Sequence, residues 1–596
     1  MSYDPTNPLI VQGDRTILVE VDNPRYTAAR DALAPFAELE KSPEHIHTYR
    51  LTSLSLWNAA AAGMSAEAMV NVLRTYSKFP LPTNLATDIA ELVGRYGRVR
   101  LEKSPSIKKP EVIPDSGAAA PESSSKASDD ASDEKAWLRL VCTDRPLLEE
   151  LARQPKVREY LGARLDPISF LVDPAFRGML KQGLIAVGYP AEDVAGYTEG
   201  ASLPIHLRKL ARSGLPFHVR DYQRDAADVF YAGGDVRGGS GVIVLPCGAG
   251  KTVVGIAAMA LLKKSTLVLT TGITAVKQWH REILDKTDLK EDQIAEYTGE
   301  SKAIAPVTLA TYQIVTHRPD KNEDFPHFKI FDERDWGLVI YDEVHLLPAP
   351  VFRVTANIQA RRRLGLTATL IREDGREADV FSLIGPKKYD VPWRELESRG
   401  WIAEANCSEI RVAMPDDLRM EYAVAEWRDK YRLASENPAK EDVVARLLDH
   451  YKGSKIIIIG QYLKQLRHIR KRFGIPLIMG QTPQDEREDL YNRFRKGEVR
   501  HLILSKVGNF ALDLPDANVL IQVSGTFGSR QEEAQRLGRI LRPKASHEIA
   551  HFFTLVTRDT RELDFAHHRQ LFLTEQGYSY TIVDAGELLE TARMTG

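Results

Sequence analysis

Cysteine is almost missing from this chain. Cys142, Cys247 and Cys407 are spread over 596 positions, too few and too far apart for a disulfide framework or for the paired spacing of a zinc site. A reducing, cytoplasmic setting is expected. Long apolar runs are missing as well: no stretch approaches the ~18 consecutive apolar residues that a membrane-spanning helix needs. The amino-terminal MSYDPTNPLI has neither a basic nor an apolar region, so no export signal and no membrane partner are expected. Nor does charge of one sign dominate, since 80 basic residues face 82 acidic ones. This excludes a body that attracts nucleic acid over its whole surface and leaves only a local groove for that purpose. Arg361-Arg362-Arg363 and Arg467–Arg472 are local basic clusters, of a kind that is usually a solvated helix face. Aromatic residues are absent from Ser104–Lys135, a tract of Ser, Pro, Ala and charge that is expected to be a disordered insertion.

Length and apolar content are present in quantity. The chain is long enough for roughly four domain-sized units, and 43% hydrophobic residues suffice for packed cores. Helical periodicity runs through Leu54–Met64, Ser65–Tyr76 and Thr83–Tyr96, with Ser65 and Thr83 placed as N-caps. Arg98–Lys103 and Trp137–Thr143 alternate as short strands able to pair across the polar tract. Three helices and a hairpin suggest a winged-helix-like module within an amino-terminal mixed α/β domain over 1–165. A smaller α/β region is expected over 166–206, with a strand near Ile168–Val172 and a helix over Asp173–Val187.

From about Leu207 apolar strands alternate with amphipathic helices. One series is Thr266–Leu269, Pro306–Ala310, Leu338–Tyr341 and Arg363–Thr367; the next is Lys455–Ile459, Pro476–Met479, His501–Leu504, Val519–Val523 and His551–Leu555. The pattern predicts an α/β fold with two parallel-sheet lobes, 207–396 and 397–585.

The chemistry is concentrated in the first lobe. Leu245 to Thr252 reads LPCGAGKT between an apolar strand and the helical run KTVVGIAAMALL. The Gly248-Ala249-Gly250 turn leaves backbone N–H groups able to wrap phosphate oxygens, Lys251 supplies a cation, and Thr252 offers a hydroxyl to Mg²⁺. Leu245 stands where the usual pattern has its first glycine, yet the strand-loop-helix context is intact. Ninety residues on, the strand WGLVIY ends in Asp342-Glu343-Val344-His345. Two carboxylates at the carboxyl edge of a parallel sheet suit metal holding by Asp342 and activation of the attacking water by Glu343. An ATP-driven motor is implied. In the second lobe Arg536, Arg539 and Arg542 recur at helical spacing. Guanidiniums so placed suit phosphates across a cleft between lobes, while pairing with Glu532 and Glu533 is the structural alternative.

Arg220-Asp221-Tyr222-Gln223, PCGAGKT, DEVH, Leu366-Thr367-Ala368-Thr369, the Ser505-to-Pro515 segment and QRLGRILR resemble, in order and spacing, the motifs of superfamily 2 helicases. With Ile371-Arg372-Glu373-Asp374-Gly375 and GSRQEEAQRLGRILRPK, the chain resembles the XPB family in its short bacterial or archaeal form. The resemblance implies RecA-like lobes, ATP and Mg²⁺ as cofactors, and a 3'-5' DNA helicase or duplex translocase acting in nucleotide excision repair. It further implies nucleotide contacts from Arg220, Gln223, Asp513 and Gln535, with Arg539 and Arg542 as arginine fingers. Gln223 would read the adenine edge, or alternatively cap its own helix. Thr367, Thr369 and His345 would couple hydrolysis to the DNA groove. Arg372, Glu373, Asp374, Thr271, Thr311, Tyr312 and Lys506 would touch DNA, although charged loops and hydroxyl-rich turns are ordinary surface features. A helical thumb is expected over 416–441, made partly basic by Arg419, Arg428, Lys430 and Arg432. Duplex and forked DNA, a nuclease partner, a monomeric state and a nucleoid-associated location complete the expectations. A restriction-type translocase without unwinding and a nucleotide-switched scaffold are the alternatives.

Overall fold

The computed structural model describes residues 3–41, 45–104, 137–235, 238–246, 248–319, 325–347, 351, 358, 361–368, 377–391, 393–505, 517–525, 536–537, 549–575, 578 and 580–586. The tract expected to be disordered lies, beyond Ser104, outside them. Among the described residues no helix is long and apolar enough to cross a membrane.

Two seven-stranded parallel sheets dominate. In the first the order is Ile294–Tyr297, Val307–Thr311, Thr266–Thr270, Leu338–Asp342, Arg362–Thr367, Ser240–Val244 and Lys387–Asp390. Its inner strands are buried on both faces, as in Leu267, Val268 and Leu269, all 0% exposed. That is why they read as unbroken apolar runs: helices cover both sides of a parallel sheet. The second sheet runs Leu477–Ile478, His501–Leu504, Ile456–Ile459, Val519–Gln522, Ala550–Thr557, Ala405–Val412 and Tyr580–Asp584. A single apolar core reaches from Ile243 and Leu366 in the first lobe to Cys407, Leu520 and Phe552 in the second. The α/β, two-lobed architecture is the one expected.

The thumb region contains the helices Asp416–Val424 and Trp427–Ser435. Its root is tied to the second lobe by a buried ion pair, Lys440 Nζ to Glu562 at 2.8 Å, and Tyr431 Oη donates to the Gly525 carbonyl at 2.6 Å. Its tip exposes Met420, Val424 and Trp427.

The amino-terminal part holds a four-stranded antiparallel sheet ordered Leu9–Val11, Thr16–Glu20, Ile46–Arg50 and Glu38–Lys41, covered by helices. Ser65 caps Ala66–Tyr76 by accepting the Ala68 N–H at 3.1 Å. The helix after it starts one residue later than expected, with Asn84 rather than Thr83 at its cap, because the Asn84 side chain is held by the Gly13 carbonyl and by Asp88, each at 3.1 Å.

Val99–Lys103 does pair antiparallel with Leu138–Cys142, but the pair is not a wing of the three helices. It forms the middle of a five-stranded sheet with Arg164–Asp166, Ser169–Val172 and Glu192–Asp193. The boundary expected at 165/166 therefore cuts a single sheet and is corrected. The physical reason is packing: Val99, Leu101, Leu138 and Leu140 share one core with Leu148, Val172, Leu180 and Leu184. This module docks on the first lobe through buried charge. Asp193 bridges Arg177 at 2.7 Å and Lys181 at 3.1 Å, and the Arg177 and Arg363 guanidiniums lie 5.6 and 5.8 Å from the Tyr197 ring.

Candidate functional site

Three elements of the first lobe converge on one corner of its sheet. The strand Ser240–Val244 runs into the glycine-rich loop, where Gly248 (φ +83°) and Gly250 (φ +81°) take left-handed backbone that only glycine adopts cheaply. Gly250 caps the helix Lys251–Leu262, whose first turn carries Lys251 and Thr252. The loop is braced from the side: the Ala249 carbonyl accepts both Tyr222 Oη at 2.7 Å and Gln223 Nε2 at 2.8 Å. Gln223 Oε1 in turn accepts the Arg220 N–H at 3.0 Å. Gln223 thus caps its own helix and grips the loop, at 3% exposure. Arg220 stacks over Trp401, 4.5 Å from its ring, and donates to Tyr222 Oη at 3.1 Å.

The strand Leu338–Asp342, two strands from the loop's own, delivers the acid pair. Lys251 Nζ meets Glu343 Oε1 at 3.0 Å. Asp342 accepts the Trp279 indole N–H at 2.9 Å on Oδ2 and the Glu343 N–H at 3.1 Å on Oδ1. Glu343 sits at φ +50°, a non-glycine residue in left-handed backbone, and such strain of ~1–3 kcal/mol gathers at functional sites. Burial, then the neighbouring Glu343, pushes the Asp342 carboxyl up to about 6. For Glu343, burial is outweighed by Lys251 and His345, which hold its carboxyl below the usual range. The two acids are thereby set apart: one shares the lysine's charge, the other is ringed by neutral donors.

That donor set fits a divalent cation. Asp342 and Thr252 are hard oxygen ligands of the type Mg²⁺ prefers, and Asp342 is a half-buried carboxylate whose two hydrogen bonds come from uncharged N–H groups. Glu343 Oε2 has no hydrogen-bond partner among the described residues, so it keeps an acceptor for a water molecule.

His345, 4% exposed, links this corner to the neighbouring strand. Its Nδ1 lies 2.6 Å from Thr367 Oγ1 and 3.6 Å from Glu343 Oε2. The Thr367 carbonyl accepts the Leu245 N–H at 2.9 Å, so the end of Arg362–Thr367 touches both the acid pair and the approach to the glycine-rich loop. The structure brings together Arg220, Gln223, Gly248, Ala249, Gly250, Lys251, Thr252, Asp342, Glu343, His345 and Thr367.

Other expectations change. Thr311 and Tyr312 are each 4% exposed. The Thr311 hydroxyl caps its own helix by accepting the Ile314 N–H at 3.1 Å, and Tyr312 Oη donates to the Asp342 carbonyl at 3.0 Å. The Tyr312 proton is thereby spent inside the lobe, whereas the Thr311 hydroxyl serves there as an acceptor and keeps its own proton to donate. Thr271 is partly buried and directly precedes Gly272, the cap of Ile273–Lys286. Arg536 is fully buried against the Gln522 side chain and is not a phosphate-facing cation. Successive three-residue steps on an α-helix fan through about 120° over two steps, so Arg536 can point inward without constraining Arg539 or Arg542. Those two lie outside the described residues, as do Thr369, Arg372, Glu373, Asp374, Lys506, Asp513 and Gln535. Trp279 and Trp401 were missed by sequence reasoning. For Trp279 a signal existed in Gly255, a glycine inside an otherwise strong helix.

Family models match along the chain: ERCC3/RAD25/XPB C-terminal helicase over 396–594, type III restriction enzyme res subunit over 216–372, and helicase conserved C-terminal domain over 9–112. The "DNA 3'-5' helicase XPB" of Kineococcus radiotolerans is 52% identical over 581 residues, covering 98% of this chain and 97% of the relative. That of Mycobacterium tuberculosis is 52% identical over 585 residues, covering 98% and 99%. The "General transcription and DNA repair factor IIH helicase/translocase subunit XPB" of Schizosaccharomyces pombe is 33% identical, covering 96% of this chain and 75% of the relative.

Proposed function

The chain belongs to the XPB family of DNA 3'-5' helicases, and from that membership we propose that Lys251, Thr252, Asp342 and Glu343 are its ATP-hydrolysing half-site. It is an enzyme, a superfamily 2 DNA helicase that draws on nucleotide hydrolysis. The observation that carries the site reading is the Lys251–Glu343 contact at 3.0 Å beside Asp342, because it joins a cation suited to phosphate, from one element, to an acid pair suited to metal holding and general-base work, from another.

In the proposed mechanism the loop N–H groups and Lys251 bind the triphosphate, and Glu343 takes up a proton from water at Oε2. Mg²⁺, held by Thr252 and Asp342, would neutralise charge developing on the phosphates. Arg539 and Arg542 from the second lobe are proposed to complete the site on closure, with Asp513 and Gln535 contacting nucleotide. Arginine fingers contribute ~10³–10⁵ in turnover. Gln223 holds the loop with both hydrogens of its amide, one on the Ala249 carbonyl and one on Tyr222 Oη, so only a lone pair on Oε1 is kept for the amino group of an adenine. Alternating closure and opening of the lobes would step the protein along a DNA backbone, with Thr271, Lys506, the Arg372-Glu373-Asp374 segment and the thumb as the gripping surfaces. Duplex and forked DNA are the proposed substrates, at the nucleoid, for a monomer that acts in excision repair beside a nuclease.

Thr367 and His345 are the proposed coupling elements. Thr367→Val keeps the side-chain outline and removes the hydroxyl facing His345. Losing one such bond, ~1 kcal/mol, is expected to reduce the stimulation of ATPase by DNA about fivefold, read as the ratio of phosphate release with and without DNA. An unchanged ratio would remove Thr367 from the coupling path.

The substrate class is tested by comparing ATPase stimulation by duplex DNA, forked DNA, single-stranded DNA and RNA, together with strand displacement on forks bearing a 3' or 5' tail. DNA is expected to stimulate at least tenfold more than RNA, and displacement is expected from the 3' tail. Stimulation by RNA equal to that by DNA would overturn the assignment.

A further inference from the structure

Asp342 is aimed by donors from two different elements. Oδ1 takes the N–H of the adjacent Glu343, whereas Oδ2 takes the indole N–H of Trp279, 63 residues earlier in the helix Ile273–Lys286. A buried indole requires a partner for its one polar atom, and any nearby carbonyl would have satisfied that need. Here the acceptor is instead a functional carboxylate, and charge-assisted bonds of this kind fix orientation as well as adding strength.

The ring reaches Asp342 because Gly255 lets it pass. A Cβ at position 255 would lie 2.5 Å from the far edge of the Trp279 ring, at Cη2, closer than side chains tolerate. Gly255 sits in the middle of Lys251–Leu262, where glycine costs helix stability relative to alanine. Trp279 is 1% exposed, so its ring is enclosed on the way to the carboxylate. The two residues face each other from the phosphate-loop helix and the following helix.

We propose that Trp279 is a positioning residue that holds the Asp342 carboxylate ready for the nucleotide's metal, with Gly255 as the clearance that permits it. This rests on the reading of Asp342 as the metal-holding acid. Donors that orient a metal-binding group from behind typically alter metal affinity by 10–100-fold.

The test uses the full chain with Trp279→Phe, Gly255→Ala and Asp342→Asn, and titrates Mg²⁺ against the affinity for a fluorescent methylanthraniloyl ADP, alongside melting temperature. Trp279→Phe and Gly255→Ala are each expected to need about tenfold more Mg²⁺ for half-maximal tightening of ADP binding, while ADP affinity without Mg²⁺ stays within about twofold of the parent. A residue that only fills space would lower both affinities together with the melting temperature. An unaltered Mg²⁺ requirement, or equal losses with and without Mg²⁺, overturns the role of Trp279 provided that Asp342→Asn abolishes the Mg²⁺ effect. If Asp342→Asn retains that effect in full, the metal assignment itself has failed. Should Trp279→Phe not fold, the sulfur isostere of tryptophan at position 279 keeps the bicyclic outline, drops the N–H and gives the same readout.

Discussion

Lys251→Ala is expected to lower ATP turnover by at least ~10²–10³-fold, the effect of removing one preorganised electrostatic contact at a developing charge. Two losses combine. The proposed phosphate cation disappears, and Glu343 loses the ammonium group 3.0 Å away that keeps its carboxyl ionised. With Asp342 adjacent, the two carboxylates then repel one another without that ammonium to offset them, and one of them is expected to hold a proton at neutral pH. DNA affinity is expected to stay within about twofold of the parent, because Lys251 is not among the residues proposed to grip DNA. Phosphate release at saturating duplex DNA and DNA binding by anisotropy measure the two quantities. Turnover within tenfold of the parent would reject the site.

Glu343→Gln separates binding from hydrolysis. The amide keeps the length of the side chain and can occupy the same left-handed backbone, yet it cannot accept a proton from water. General-base removal is expected to cost ~10²–10⁴ in turnover, while ATP binding is retained or tightened because Lys251 no longer shares its charge with a carboxylate. The variant should therefore trap unhydrolysed ATP, measurable as bound radiolabelled nucleotide that survives gel filtration. Normal single-turnover hydrolysis in this variant would place the base at another residue.

Local patterns made much of this legible. Strands buried on both faces appear as apolar runs, so Thr266–Thr270, Leu338–Asp342, Ile456–Ile459 and Val519–Gln522 were found within a residue or so of their ends. Ala405–Val412 was not, although it lies inside the second sheet, because Glu409 interrupts its pattern. That carboxylate is 1% exposed and is satisfied by Gln570 at 2.7 Å and Tyr580 at 2.8 Å, partners more than 160 positions away. Lys387–Asp390, at the edge of the first sheet, reads KKYD and carries no apolar signal at all. Arg536 of QRLGRILR shows the opposite error: a helical repeat groups it with its neighbours as a phosphate-facing cation, yet it is buried against Gln522.

What the sequence determined by itself is the chemistry that depends on neighbours in the chain. Glycines at 248 and 250 permit the turn proposed to bind phosphate, and an apolar strand ending in Asp342-Glu343 presents two acids at a sheet edge, since both follow from local backbone preference. Tertiary structure alone decided which acid receives Lys251, that the Trp279 indole sits behind Asp342, that Tyr312 spends its hydroxyl proton inside the lobe, and that one sheet spans residues 99 to 193. The reason is that burial and hydrogen bonding join groups far apart in sequence, and a side chain's role is set by which partner it meets once water is excluded.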